Sequence, residues 1–254
     1  MSELRSYRVE AIIIRHSDYG EADRLLTLYS RQQGKLRALA KGIRKVTSRK
    51  AGHLEPFTHV SLQLARSRDL PIVTQAETVE AFLSLRKDLI LTGHASYILE
   101  LVDRFTYIDE MDNSSIFKLV LESLNRLASK SDPWLVLRYY ELRLLDLLGF
   151  RPLLFECANC GQAILAEDQF FSPGAGGVIC PRCGAGLSHL TSITTDGLKF
   201  LRHLQRSSFQ VASRAHPDAT AQQETESIMQ GYMNYLLERA LKTPEFLTKI
   251  RATQ

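Results

Sequence analysis

The chain has 254 residues, of which 44% are hydrophobic and 24% charged, an ordinary composition for a folded protein of one large or two small domains. No apolar run approaches the roughly 20 residues that a membrane-spanning helix needs, and Met1-Ser2-Glu3-Leu4-Arg5-Ser6 has no apolar stretch behind its charges, so neither a span nor a secretory leader is expected and the default compartment is cytoplasmic. The net charge of +4 is unevenly spread: residues 1–80 hold 14 Lys and Arg against 9 Asp and Glu, whereas the other 174 residues stand at −1. A positive excess confined to the first third suggests a polyanionic partner there, with a solvated charged face as the alternative.

Residues 7–80 read as five short strands. Val9, Ala11 and Ile13 alternate with Arg8, Glu10 and Ile12; Asp18-Tyr19-Gly20 breaks the run; Leu25 to Tyr29 follows, and Gln32-Gln33-Gly34 reads as a turn before Leu36, Leu39 and Ala40. Phe57 to Leu64 alternates well, and Ile72 to Val79 is the fifth run. Five strands in about 75 residues fit a small closed barrel of the OB type. From about Phe82 the apolar spacing becomes three and four. Leu83 to Phe105 and Phe117 to Leu127 form two stripes, and a third helix is bounded by Asp132-Pro133 and Gly149. Thr194-Thr195-Asp196 opens another helix. Residues 207–224 are polar and read as a surface loop, and a last helix is expected from about Thr225, with Met229, Met233 and Leu241 in its stripe.

The fold class is therefore α+β and multi-domain. An N-terminal OB-fold β-barrel spans 1–80. A helical domain spans 81–150 and 191–254, and a four-cysteine zinc ribbon is inserted at 151–190.

All four cysteines lie in that module, as Cys157-x-x-Cys160 and Cys180-x-x-Cys183. Each pair lets two thiolates reach one ion from a tight turn, and Gly161 and Gly184 relax the backbone behind them. Four sulfur ligands match the closed tetrahedral coordination of a structural Zn2+, which leaves no open position for a catalytic water. Two disulfides, an iron–sulfur cluster or free thiols are the competing readings. Phe170, Phe171, Val178 and Ile179 read as a small core around the ion.

No acidic residue lies between Arg24 and Glu55, while Arg31, Lys35, Arg37, Lys41, Arg44, Lys45, Arg49 and Lys50 accumulate there. Cations without counter-charges repel unless an anion screens them, and phosphates do so with release of counterions. Lys35, Arg37 and Lys41 fall at strand spacing. Lys41 to Lys45 and Ser48 to Lys50 read as a loop, with Gly42 allowing close approach of a phosphate. OB barrels bind single strands with cationic grooves and aromatic platforms, for which Tyr19, Tyr29 and Phe57 are candidates, although each also suits a core. The expectation is a DNA interface at these eight cations. A mobile basic loop or an acidic protein partner is the alternative.

The chain has no phosphate-binding Gly-x-x-x-x-Gly-Lys loop, no His-Glu-x-x-His and no Gly-x-Ser-x-Gly, and pairs such as Asp109 and Glu110 suit solvated loops. The reading is non-enzymatic. A zinc-stabilised protein–protein adaptor with incidental DNA contact, and a zinc-dependent nuclease, are its rivals.

Beyond these patterns, the chain resembles the RecO family of bacterial DNA repair and recombination mediators over nearly its whole length. In the barrel the likeness rests on Tyr19-Gly20-Glu21-Ala22-Asp23-Arg24, Gly34-Lys35, Lys41-Gly42-Ile43-Arg44-Lys45 with Ser48-Arg49, and Leu54-Glu55-Pro56-Phe57. In the helical body it rests on Leu85-Arg86-Lys87-Asp88-Leu89, Tyr97 with Glu100-Leu101, and Glu141-Leu142-Arg143-Leu144-Leu145 ending in Gly149, and it is completed by Cys157-Ala158-Asn159-Cys160-Gly161 and Cys180-Pro181-Arg182-Cys183-Gly184. Some members lack the cysteines, so a metal is not the family's shared working feature. The resemblance implies binding of single- and double-stranded DNA, annealing of complementary strands, and a cytoplasmic, nucleoid-associated place of work. It also implies a RecR-type partner, docking of the single-strand-binding protein's C-terminal tail in a groove it does not locate, and help in loading recombinase onto DNA coated by that protein.

Overall fold

The computed structural model describes residues 6–108, 114–238, 241, 243, 244 and 247. The first five residues and the Asp109–Glu110 pair lie outside that set. Two compact units emerge, Met1–Pro133 with Lys242–Gln254, and Trp134–Leu241.

The first unit begins with the alternating strands: β1 (Ser6–Tyr19), β2 (Asp23–Ser30), β3 (Gly34–Ala40), β4 (His59–Ala65) and β5 (Ile72–Glu80). They close into a barrel of order β1-β2-β3-β5-β4, antiparallel throughout except for the β3–β5 pairing at Leu39 and Ile72. This is the expected OB-type barrel. Closure leaves no free sheet edge and turns one face of every strand inward. Val9, Ala11, Ile13, Leu26, Leu28, Leu36, Ala38, Val60, Leu62, Leu64 and Val73 fill the interior, plugged from the β3–β4 connection by Ile43 and Leu54. Truncating a leucine such as Leu62 to Ala would cost about 2–5 kcal/mol by the usual cavity effect.

The register of β1 against β2 shifts between Ile13 and Arg15, a bulge that bends the strand. Ile12 and Ile14 are buried as well as the inward residues. Helices α1 (Leu83–Lys87), α2 (Leu89–Phe105) and α3 (Ser114–Ala128) follow, with α2 and α3 against β1. Asp88 caps α2 by accepting from the Ile90 and Leu91 amides. Phe117 of α3 meets His59 of β4 edge to face at 5.8 Å.

The second unit contains α4 (Pro133–Leu147), β6 (Gln169–Ser172), β7 (Gly177–Ile179), α5 (Pro181–Gly184), β8 (Thr191–Ile193), α6 (Thr195–Arg206), α7 (Phe209–Ala212) and α8 (Ala219–Leu237). Strands β7-β6-β8 form a small antiparallel sheet. Thr194 caps α6 by accepting from Gly197, and Trp134 stacks on Phe200 at 5.7 Å. The 207–224 segment departs from the loop expectation. It contains α7 and the first turns of α8, which starts at Ala219 behind the Asp218 cap. The buried face of those turns is made of Ala221 and Thr225, too small to read as an apolar stripe.

Candidate functional sites: a four-cysteine centre and a basic loop

The cysteines sit on two short turns. In the first, Gly161 adopts φ +71° and its amide donates to the Cys157 carbonyl at 2.8 Å, a left-handed turn that glycine enters without steric cost. In the second, Pro181 starts α5 directly after Cys180, and a Cβ at Gly184 would lie 2.6 Å from the Phe170 ring. The two glycines therefore serve different needs: conformation at 161, space at 184. The turns are tied together where the Ala158 amide donates to Val178 and the Cys180 amide to the Cys157 sulfur at 3.4 Å.

All four Sγ atoms lie within 4.8 Å of one another. A tetrahedral ion with bonds of about 2.3 Å needs sulfurs about 3.8 Å apart, so the donor set fits a closed four-sulfur centre. Burial raises the Cys157 thiol, but amide hydrogens of Cys180, Cys160 and Asn159 outweigh it and bring its pKa down to about 6. Asn159 favours the Cys183 thiolate, yet hydrogen bonding with Cys180 and Cys160 pushes that thiol up to about 11. The Cys157 and Cys183 thiols are thus pushed in opposite directions, and a divalent cation among the sulfurs would favour the thiolate of each. Arg182 lies beside them, its guanidinium favoured by Cys160 and the other thiols. Phe171, Val178 and Ile179 form the buried packing next to the centre.

The eight cations of the basic segment fare unequally. Lys35 turns back onto the first unit. Its Nζ lies 2.7 Å from Asp103 Oδ1 and donates to the Asp103 and Thr106 carbonyls, and its side chain is 13% exposed. A lysine so placed is a brace between barrel and helix rather than a phosphate contact. Burial raises the Asp103 carboxyl, but the hydrogen bonds and charges of Lys35 and Arg15 hold it below the ordinary carboxylate value. Arg31 pairs with Glu10 at 3.2 Å and Arg44 with Asp18 at 3.3 Å, both on the surface. Lys50 donates to the carbonyls of Val73 and Lys41, and burial lowers its pKa despite the charge of Asp23.

Four remain. Arg37, Lys41, Lys45 and Arg49 are exposed and form no ion pair among the described residues. Arg37 stands on the outer face of β3, and the others follow it on the β3–β4 connection. The amide of Gly42 is already donated to Asp23 Oδ1 at 2.7 Å, so it is not available to a phosphate. Of the three aromatics considered for stacking, Tyr29 is fully buried and Phe57 nearly so; Tyr19 is 53% exposed.

The first unit also holds a cleft of about 590 Å3, lined by Arg15, Arg86 and Arg104 together with Glu55, Glu100 and Asp103. Its cations are matched by carboxylates, so it lacks the one-sided charge of a phosphate site. Burial raises the Glu55 carboxyl, but hydrogen bonds from His16 and Arg24 prevail and lower it.

A closed OB barrel with exposed cations, in a chain that also carries a four-cysteine centre, defines the class: an OB-barrel protein with an appended cysteine module. Comparison with known proteins sharpens it. Residues 1–82 match the family model "Recombination protein O N terminal" and residues 86–245 match "Recombination protein O C terminal". The chain is 43% identical to the DNA repair protein RecO of Roseiflexus sp. over 248 residues, 97% of this chain and 87% of that protein. Those of Pelotomaculum thermopropionicum and Dehalococcoides mccartyi strain BAV1 are 37% and 34% identical, over 97% and 99% of this chain and 95% and 98% of theirs. The chain belongs to the RecO family of DNA repair proteins. No helix among its described residues is long and apolar enough to cross a membrane.

Proposed function

We propose that this protein is a non-enzymatic recombination mediator that binds single- and double-stranded DNA through its barrel and anneals complementary strands. The observation that carries the reading is the group Arg37, Lys41, Lys45 and Arg49, exposed on β3 and the loop after it and without carboxylate partners among the described residues. Guanidinium and ammonium groups so placed meet phosphates without reading bases, so binding is largely independent of sequence. Neutralising two strands near one surface lowers their mutual repulsion and favours pairing. No covalent bond is made or broken, and no nucleotide is consumed. The protein, in this reading, works alongside a RecR-type partner and the single-strand-binding protein's C-terminal tail, in the nucleoid, and helps load recombinase; membership of the RecO family supports it. In this reading Cys157, Cys160, Cys180 and Cys183 hold a Zn2+ that stabilises their module and takes no part in DNA chemistry.

The test is annealing of complementary oligonucleotides without nucleotide, together with DNA affinity measured across salt. The protein should accelerate annealing, and its affinity should fall steeply with salt. Arg37, Lys41, Lys45 and Arg49 changed together to Ala should reduce the single-strand salt slope by about 3 with the melting temperature unchanged. An unchanged slope would remove this surface as the DNA site.

A further inference from the structure

The β3–β4 connection is built to hold one apolar side chain away from the protein. Ile43, at its start, is buried in the barrel interior at 2% exposure, whereas Val46, three residues on, is fully exposed. The stretch between is hydrogen-bonded. The Arg44 amide donates to the Ala22 carbonyl at 3.0 Å, Lys45 to Gly42 at 3.2 Å and Ser48 to Lys45 at 2.9 Å. Lys50 Nζ then fastens the far end by donating to the carbonyls of Lys41 and Val73. Val46 thus projects from a braced turn with Lys45 beside it and Lys41 and Arg49 on either flank.

We infer that Val46 is a base-contacting tip: the flanking cations hold the phosphates of a single strand while the isopropyl group packs against an exposed base face. The inference rests on the barrel being the DNA site. An isolated exposed valine is common on protein surfaces and by itself means little. The flanking charge selects the occupant. Unpaired cations around the tip favour a polyanion, and of a nucleic-acid strand's parts the base faces offer the broadest apolar surface. In a duplex those faces are stacked away; in a single strand they are open, as they are to the aromatic platforms of other single-strand binders. A valine covers less area than an aromatic ring and reads no hydrogen-bond edge, so the contact is tolerant of sequence. Contact with the face of a base leaves its pairing edge free for a complementary strand.

Fluorescence anisotropy with two labelled oligomers of equal length, oligothymidylate and its abasic counterpart, separates base contact from phosphate contact. The full-length protein should bind oligothymidylate about fivefold more tightly, a ratio in keeping with partial burial of one valine side chain. Val46→Ser should bring oligothymidylate down to the abasic level and leave abasic affinity and the salt slope unchanged. Val46→Leu should widen the ratio. The inference is overturned if the native protein does not distinguish the oligomers, or if Val46→Ser keeps the ratio. Failure of the native protein to bind either oligomer would instead overturn the barrel reading itself, and this inference with it.

Discussion

The four-cysteine module and the basic loop both announce themselves in sequence by a cluster of one residue type, yet folding treats them in opposite ways. The cysteines converge: two pairs separated by 19 residues place all four sulfurs within 4.8 Å. The cations diverge. Lys35 and Lys50 are spent on internal partners, Arg31 and Arg44 on surface carboxylates, and four stay unpaired among the described residues. Thiols in two tight turns have their geometry set by a few local residues. A lysine in a strand has a long arm, and whatever the rest of the chain brings within reach decides its role.

The largest expected effect breaks the module. Cys180→Ser, or stripping metal with a strong chelator, should destabilise the second unit by several kcal/mol, since metal-binding energy is folding energy where no preformed site exists. Calorimetry paired with metal analysis checks it: one zinc per chain before treatment, and a melting transition lowered by about ten degrees or more afterwards. An unmoved transition would mean that the module stands without an ion.

Next is the brace. Asp103→Asn leaves Lys35 nearly buried without its counter-charge and should cost about 2 kcal/mol, read as a lower urea midpoint. Because the folded Asp103 carboxyl lies below its unfolded value, its stabilisation is complete above the unfolded carboxylate pKa. It is lost as pH falls through the lower folded value. The native protein should therefore lose more stability on acidification than Asp103→Asn, and parallel pH profiles would show that the brace contributes nothing.

The smallest effect sharpens the division among the cations themselves. Lys35→Ala should shift the unfolding midpoint and leave the salt slope of DNA binding alone; Arg37→Ala, two residues along the same strand, should do the reverse, lowering the slope by about 0.7. Equal behaviour of the two variants would erase the distinction between brace and binder.

Much of this architecture was legible because barrel strands and amphipathic helices advertise themselves by their apolar pattern: all five strands fall on the runs read for them, although β1 continues in ladder pairing through Asp18 and Tyr19, which read as a break, and the 133–147 helix lies between Asp132 and Gly149. What the chain hid were contacts made at a distance. The acid-free window from Arg24 to Glu55 looks uncompensated in one dimension, but Asp103 arrives from 68 residues beyond Lys35, and Glu10 and Asp18 come from the neighbouring strand. Tyr29 likewise looks available until helices cover the outside of the barrel, and Gly42 until Asp23 claims its amide. Val46 carries no sequence signal at all, since one valine in a polar loop is unremarkable until its neighbour Ile43 is seen pointing the other way.

On the proposed function, the inward turn of Lys35 also bears on how a strand would first find the protein. Formal charge overstates the field at a distance, because a paired cation and carboxylate look like a dipole from farther than their separation. Lys35, Arg31 and Arg44 therefore add little to the attraction that reaches out, and physiological salt damps what remains over about 8 Å. On the proposed function, a strand would therefore be felt mainly at short range, in the last few ångströms of its approach.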